Sequence, residues 1–304
     1  MKTPTNHMPA SLAFKQVLVA LFWGGTFIGG RVLAQAMPLT VAAFGRYLIA
    51  SLLLVWVAFR MEGGLPRLNR QQVFSTALLG LTGVFLYNLF FFGALAHIPA
   101  GRTALFVTLS PVTVAVCSAV FFGERLGRLR WLGIVLALVG AAVIITRGDL
   151  AGTVQDIGRS FGRGELSMLC AVLAWVAYTL LSRRALVSLS PIAATTYSAL
   201  WGCLFLGLSA AGHIASVDWT ALGWPVWAAL FYMGAFGTVV AFVWYYQGIR
   251  AAGPSKTVIF TNLVPLFGVL LSALLLGESV LLSMVVGGAL SIAGVMMVNH
   301  RAGR

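Results

Sequence analysis

Ten apolar runs of about twenty residues, separated by short connections, constrain this chain more than any other feature of it. They cover about residues 12–34, 40–59, 71–94, 99–121, 127–146, 164–182, 191–210, 222–247, 254–275 and 279–298. At a rise of about 1.5 Å per residue, each run is long enough to cross roughly 30 Å of hydrocarbon as a helix. Inside a bilayer no water is present to satisfy backbone N–H and C=O groups, so such runs cross as helices. The expectation is an all-α membrane protein with ten transmembrane helices. The acidic residues agree. Only Glu62, Glu124, Asp149, Asp156, Glu165, Asp218 and Glu278 are present in 304 residues, too few for the roughly one-quarter charged exterior of a soluble domain.

The runs are organised by an internal repeat. Shifted by 154 positions, Pro111, Ser118, Ala119, Gly123, Glu124, Gly133, Leu136 and Gly140 fall on Pro265, Ser272, Ala273, Gly277, Glu278, Gly287, Leu290 and Gly294. Each copy reads as an apolar helix, a tight Gly-Glu connection and a second apolar helix. The longest connection, residues 147–163, is rich in glycine and charge and separates five runs from five. It divides the chain into a first five-helix repeat (1–146), an extracytoplasmic loop (147–163) and a second five-helix repeat (164–304). Five is odd, so the halves are expected to lie inverted in the membrane, an arrangement shared by many secondary transporters.

Orientation follows from the basic residues. With the N-terminus inside, fourteen lie on cytoplasmic segments: Lys2, Lys15, Arg60, Arg67, Arg70, Arg125, Arg128, Arg130, Arg183, Arg184, Arg250, Lys256, Arg301 and Arg304. Four (Arg102, Arg147, Arg159 and Arg163) lie on the other side, and Arg31 and Arg46 fall within spans. This bias predicts cytoplasmic termini in a bacterial inner membrane. It also places Glu124 near the cytoplasmic face and Glu278 near the outer one. The net charge of +13 is spread over short loops and forms no stripe of the kind that binds nucleic acid. The first run is long and has no small-residue cleavage context, so it reads as a retained span. Cys117, Cys170 and Cys203 sit singly in apolar runs without metal-ligand spacing. No metal and no cofactor is expected.

Polar and aromatic residues at mid-depth are the site candidates, because lipid-facing packing does not need them. They are Trp23 in the first span, Arg46 and Tyr47 in the second, and Tyr87, Asn88 and Phe91 in the third. The second half adds Trp175, Tyr178, Trp244, Phe260 and Asn262. Arg46 would either neutralise a ligand carboxylate or pin helices through their carbonyls. Arg31, nearer the outer end of the first span, reads as a snorkelling side chain. Pro111 and Pro265 each free a carbonyl in the preceding turn and are candidate hinges or gate points. Interfacial belts account for Trp131, Trp219, Trp224, Trp227 and Tyr246. No Asp or Glu is placed at mid-depth, which favours facilitated movement over proton exchange.

Trp23-Gly24-Gly25-Thr26-Phe27, Gly45-Arg46-Tyr47-Leu48, Pro111 to Glu124 and Pro265 to Glu278, set in a ten-span inverted repeat, resemble the EamA-type members of the drug/metabolite transporter superfamily. Within it the chain looks like the bacterial aromatic amino acid and paraquat exporter branch. The resemblance covers residues 12–298 and implies an inner-membrane protein with a substrate cavity between its halves. The family's second-span arginine corresponds to Arg46. The matching region of the second half, Ala194-Thr195-Thr196-Tyr197, has no arginine.

The reading that results is an exporter of amino acids, aromatic or otherwise apolar, and related metabolites. It works by alternating access, as a monomer, with a small solute and the bilayer as its partners, and is not an enzyme. A nucleotide-sugar or drug carrier with proton coupling stays open as an alternative. So does a membrane-embedded enzyme, although no acid pair or nucleophile–base pair shares a depth.

Overall fold

The computed structural model describes residues 9–123, 126–148 and 161–299. Glu124 and most of the 147–163 connection, with Asp149 and Asp156, lie outside the described residues. Ten helices are long and apolar enough to span a bilayer: α1 (Ala10–Ala36), α2 (Leu39–Glu62), α3 (Arg70–His97), α4 (Ala100–Phe121), α5 (Arg128–Ile145), α6 (Arg163–Ala185), α7 (Pro191–Ile214), α8 (Trp224–Ala252), α9 (Lys256–Leu276) and α10 (Leu282–Asn299). The chain is a multi-pass membrane protein. Large apolar side chains such as Leu52, Trp56, Phe74, Phe121, Leu274 and Leu282 point outward, as they must where the solvent is lipid.

Helix boundaries follow local chemistry. Asn69 opens α3 with a reciprocal capping box, its side chain accepting from Gln72 N–H while Gln72 accepts from Asn69 N–H, both at 2.9 Å. Ser190 caps α7 ahead of Pro191 in the first turn. Gly123 and Gly277 close α4 and α9 in the left-handed region at φ 67° and 65°, which a glycine reaches without steric cost. That is the first half of each Gly-Glu signature.

The repeat extends to the irregularities. Pro111 cannot donate to Val107 and its ring crowds that carbonyl. α4 breaks there, Ser110 N–H bonding back three residues to Val107 O at 2.9 Å, and Thr108 Oγ donating to Leu105 O at 2.7 Å. Pro265 stands in the same relation to Thr261, and α9 tightens to a 3₁₀ turn over Ile259–Asn262. α3 and α8 carry the opposite distortion, wide π turns over Gly80–Leu86 and Tyr232–Val240. Gly80 and Gly83 in one correspond to Gly234 and Gly237 in the other, again 154 residues apart. π turns leave backbone groups open to side-chain capture and recur at functional sites.

The contact between α5 and α10 lies on the axis that relates the halves. A Cβ on Gly133 would stand 2.6 Å from Gly294 O, and one on Gly140 would stand 2.5 Å from Gly287 O. Ser291 Oγ donates to Ala137 O at 3.3 Å between them, and residues 137 and 291 are themselves 154 apart. Helices in lipid gain nothing from hiding apolar surface from one another, so small residues and close backbone contact hold this pair together.

Two faces result. One holds the start of α1 and the α2–α3, α4–α5, α6–α7 and α8–α9 connections; it is called the N-terminal face, and the other the opposite face. On the opposite face Glu278 accepts from Ala100 N–H at 2.8 Å and Gly101 N–H at 3.0 Å, tying the end of α9 to the start of α4. Arg102 pairs with Glu165 at 2.7 Å, both nearly fully buried, and donates to Ile145 O. Arg31 donates to Leu95 O and Ile98 O, so it bonds to the end of α3 rather than snorkelling into water. On the N-terminal face Arg183 reaches Ser118 Oγ at 3.2 Å, and Gln16 donates to Trp244 O at 2.9 Å.

Candidate functional site

Arg46 is the eighth residue of α2, about 10 Å below the opposite face, with 6% of its surface exposed. Nη1 donates to Asn88 Oδ1 at 3.0 Å and Nη2 to Thr238 Oγ at 3.4 Å. The guanidinium also lies 5.3 Å from the Tyr47 ring centre. Thr238 lies in the π turn of α8 and Asn88 two residues past that of α3, and each bonds to a carbonyl inside its turn. Asn88 Nδ2 donates to Val84 O at 2.7 Å, and Thr238 Oγ donates to Met233 O, five residues back, at 2.9 Å. Each side chain thereby occupies a carbonyl of the distorted turn and presents an oxygen to the cation. The site thus joins α2 and α3 of the first half to α8 of the second.

This charge is not neutralised among the described residues. The described carboxylates are Glu62, Glu165, Asp218 and Glu278; they sit at helix ends or in the α7–α8 loop, and none bonds to Arg46. Nε of Arg46 is buried and has no hydrogen-bond partner among the described residues. A buried guanidinium held only by neutral oxygens costs several kcal/mol relative to a paired one, and a chain retains it where something else completes it.

A chain of rings starts beside it. Tyr87 precedes Asn88, the residue that accepts from Arg46. The Tyr87 ring stacks on Phe91 (5.7 Å between centres) and meets Trp175 (5.4 Å), which meets Tyr178 (5.2 Å). Phe91 continues to Phe27 at 5.3 Å. The Tyr178 hydroxyl faces Ser198 and Thr195, and Thr195 Oγ lies 3.0 Å from the Tyr246 hydroxyl. The row therefore has a cationic end, an aromatic wall and a neutral hydroxyl end.

Seven of the eleven candidates read from sequence, Arg46, Tyr47, Tyr87, Asn88, Phe91, Trp175 and Tyr178, fall in this row. Trp23 sits in a second ring group with Phe242 (5.6 Å) and Tyr245 (5.3 Å). Trp244 is turned away from both: its ring meets Phe22 at 5.8 Å and lies under Lys15 at 5.6 Å. Helical spacing explains this, because adjacent positions point about 100° apart and Tyr245 takes the inward direction. Phe260 and Asn262 occupy the 3₁₀ turn of α9 and are half-buried; the Asn262 amide makes no hydrogen bond among the described residues. Tyr246, read from sequence as a belt residue, is interior, with its hydroxyl on Thr195 and its ring near Phe242 and Tyr245. α8 runs several residues past the predicted end at 247, so Tyr246 lies deeper than that boundary implied. Trp131, Trp219, Trp224 and Trp227 are exposed, as belt residues are.

Thr238, Thr195 and Ser198 were not singled out from sequence. Thr238 was detectable, since it follows Gly234 and Gly237, the counterparts of the Gly80 and Gly83 that precede Asn88. Ser and Thr in apolar spans otherwise bond to their own helix and give no distinct signal.

Comparison with known proteins follows this geometry. The EamA-like transporter family model matches residues 11–146 and 162–300, one copy in each half. The uncharacterized transporter YyaM of Bacillus subtilis is 28% identical over 278 residues, covering 91% of this chain and 90% of that protein. A probable terminal-alkyne amino-acid exporter of Streptantibioticus cattleyicolor is also 28% identical, over 94% of this chain and 92% of that one. A crystal structure sharing 19% sequence identity aligns with a TM-score of 0.64 over 96% of this chain and 98% of that one, which is a likeness of fold. With the family model matching both halves, this chain belongs to the EamA-like transporter family.

Proposed function

We propose that this chain is an inner-membrane exporter of aromatic or otherwise apolar amino acids and related carboxylate metabolites. It works by alternating access between its two halves. The observation that carries the reading is Arg46: a buried cation lacking a carboxylate partner among the described residues, one residue position from Tyr47 and joined through Asn88 to the helix that bears Tyr87. A solute carboxylate completes the guanidinium by charge-assisted hydrogen bonds, and its apolar side chain lies along Tyr87 and Trp175. The S. cattleyicolor relative, named as an amino-acid exporter, supports the solute class.

The distribution of Lys and Arg supports a cytoplasmic N-terminal face. Glu278 on the α4 N-terminus, with Arg102 on Glu165, then seals the outer side, while the pro-kinked breaks of α4 and α9 give each half a point of flexure. The described carboxylates at helix ends offer no central proton relay, which supports facilitated movement.

Uptake into proteoliposomes tests this with tryptophan, phenylalanine, threonine, alanine and a cationic drug, each with and without a pH gradient. Aromatic flux indifferent to the gradient is expected. Transport confined to the cationic drug would overturn the carboxylate reading, and flux that tracks the gradient would overturn the facilitative one.

A further inference from the structure

The charge of the site distinguishes among carboxylates. We infer that this carrier prefers net-monoanionic aryl carboxylates over the corresponding zwitterionic amino acids, and that moving them is electrogenic. This rests on the proposed reading that Arg46 and the Tyr87–Trp175 wall hold the solute.

Once a carboxylate has settled on Arg46 the pair is neutral, and everything else described around it is neutral as well: Asn88, Thr238, Tyr47, Tyr87, Phe91 and Trp175. The acceptor oxygens nearest the cation are already engaged, Asn88 Oδ1 and Thr238 Oγ by the guanidinium itself. An α-ammonium is fixed within two bonds of the carboxylate carbon. It would be carried into the neighbourhood of a like charge, into a site where no anion among the described residues receives it. A hydroxyl or hydrogen in its place brings no such charge and leaves the aromatic contact unchanged. Buried Nε of Arg46, unpartnered among the described residues, favours a second oxygen on the anion, not a second cation.

The electrical consequence follows from the cycle. After one full turn the carrier has returned to its starting state, so the net charge moved is the solute's plus that of any coupled ion. Arg46 itself contributes nothing to that sum. With no carboxylate at mid-depth among the described residues to carry a proton, an exported monoanion moves one negative charge outward. An inside-negative membrane potential then drives efflux without a coupling ion.

3-Phenyllactate and phenylalanine form a matched pair, a hydroxyl replacing the ammonium. Both are measured in proteoliposomes holding the full-length protein, with potentials set by potassium gradients and valinomycin and no pH gradient. Phenyllactate is expected to show a KM at least tenfold below that of phenylalanine. Its steady-state concentration ratio should change about tenfold for each ~59 mV of potential, while the phenylalanine ratio stays level. In Arg46→Gln the preference should vanish; if that variant fails to insert, the wild-type comparison decides alone. A phenyllactate ratio flat with potential, or phenylalanine carried equally well or better, overturns the inference and leaves the aromatic carboxylate reading standing. Absence of flux for every aromatic solute overturns both.

Discussion

A Cβ on Gly234 of α8 would stand 2.9 Å from the carbonyl of Arg46, and one on Gly80 of α3 would stand 2.8 Å from the carbonyl of Ser198. Arg46 and Ser198 therefore hold equivalent places in the two halves, one residue beyond the segment that sequence alignment of the halves suggested. Around Arg46 are Asn88, Thr238 and a cation–π neighbour. Around Ser198 are Thr195, to whose carbonyl it donates, and the Tyr178 hydroxyl, with the Tyr246 hydroxyl on Thr195. Backbone devices such as glycine contacts, proline breaks and π turns repeat because both halves must pack against one another by the same geometry. Side chains that touch the solute have no such obligation, because a solute with one charged end has no two-fold symmetry.

The comparison breaks most directly at its charge. Arg46→Gln retains two hydrogen-bond donors and most of the volume but removes the cation. Aromatic carboxylate flux per inserted molecule should fall about 100-fold, or about 3 kcal/mol, within the range for removing one partner of a desolvated charge pair. Initial rates normalised to inserted protein check this. A rate within threefold of wild type would reduce Arg46 to a pin between α2, α3 and α8.

A second pair of variants tests the shared skeleton. Gly140→Val and Gly294→Val, at equivalent positions of the repeat, each put side-chain atoms where a Cβ alone lies 2.5 Å from the facing carbonyl. Each should destabilise by about 2–3 kcal/mol, as overpacking of a tight contact does, and by equal amounts because the repeat makes the two sites equivalent. Thermal unfolding in detergent measures it. Unequal losses would mean that the α5–α10 contact is not symmetric in its energetics.

Much of this skeleton was legible in the sequence because membrane burial forces it into simple patterns. Ten spans, their order and the odd number per half follow from run length and the 154-residue repeat, and Gly123, Gly277, Pro111 and Pro265 mark the right turns. The π turns were not legible: Gly80 and Gly234 look like ordinary small packing residues, and only the contact with α7 or α2 makes the wider turn favourable. Arg46 and Asn88 stood out as polar groups in apolar runs, but their hydrogen bond depended on helix rotation, which a uniformly apolar background does not encode. The same blindness to rotation explains Trp244, whose neighbour Tyr245 points inward instead.

Smaller effects should separate the two ring groups. Trp175 contacts both Tyr87 and Tyr178 in the row that begins at Arg46, whereas Trp23, 152 residues earlier, contacts Phe242 and Tyr245. Trp175→Ala should raise the KM for aromatic solutes about tenfold, equivalent to about 1.4 kcal/mol and near the upper range for an aromatic pair. Trp23→Ala should change it less than threefold. Equal changes would indicate that the solute spans both groups and that the row from Arg46 to Tyr178 is only half of its path.

The smallest effect is expected at the position equivalent to Arg46. Ser198 Oγ donates to Thr195 O in its own helix at 3.0 Å, so its proton is engaged within one turn. Ser198→Ala removes that bond, yet alanine has the better helix propensity. Since a hydroxyl bonded to its own helix carbonyl contributes little net stability, the change should stay within about 0.5 kcal/mol. Transport should move less than twofold, read as KM for phenylalanine beside that of Arg46→Gln. A tenfold loss would show that the hydroxyl leaves its helix to hold the solute during the cycle. The hydroxyl end of the row would then be a second binding position in its own right, reached after the carboxylate has left Arg46.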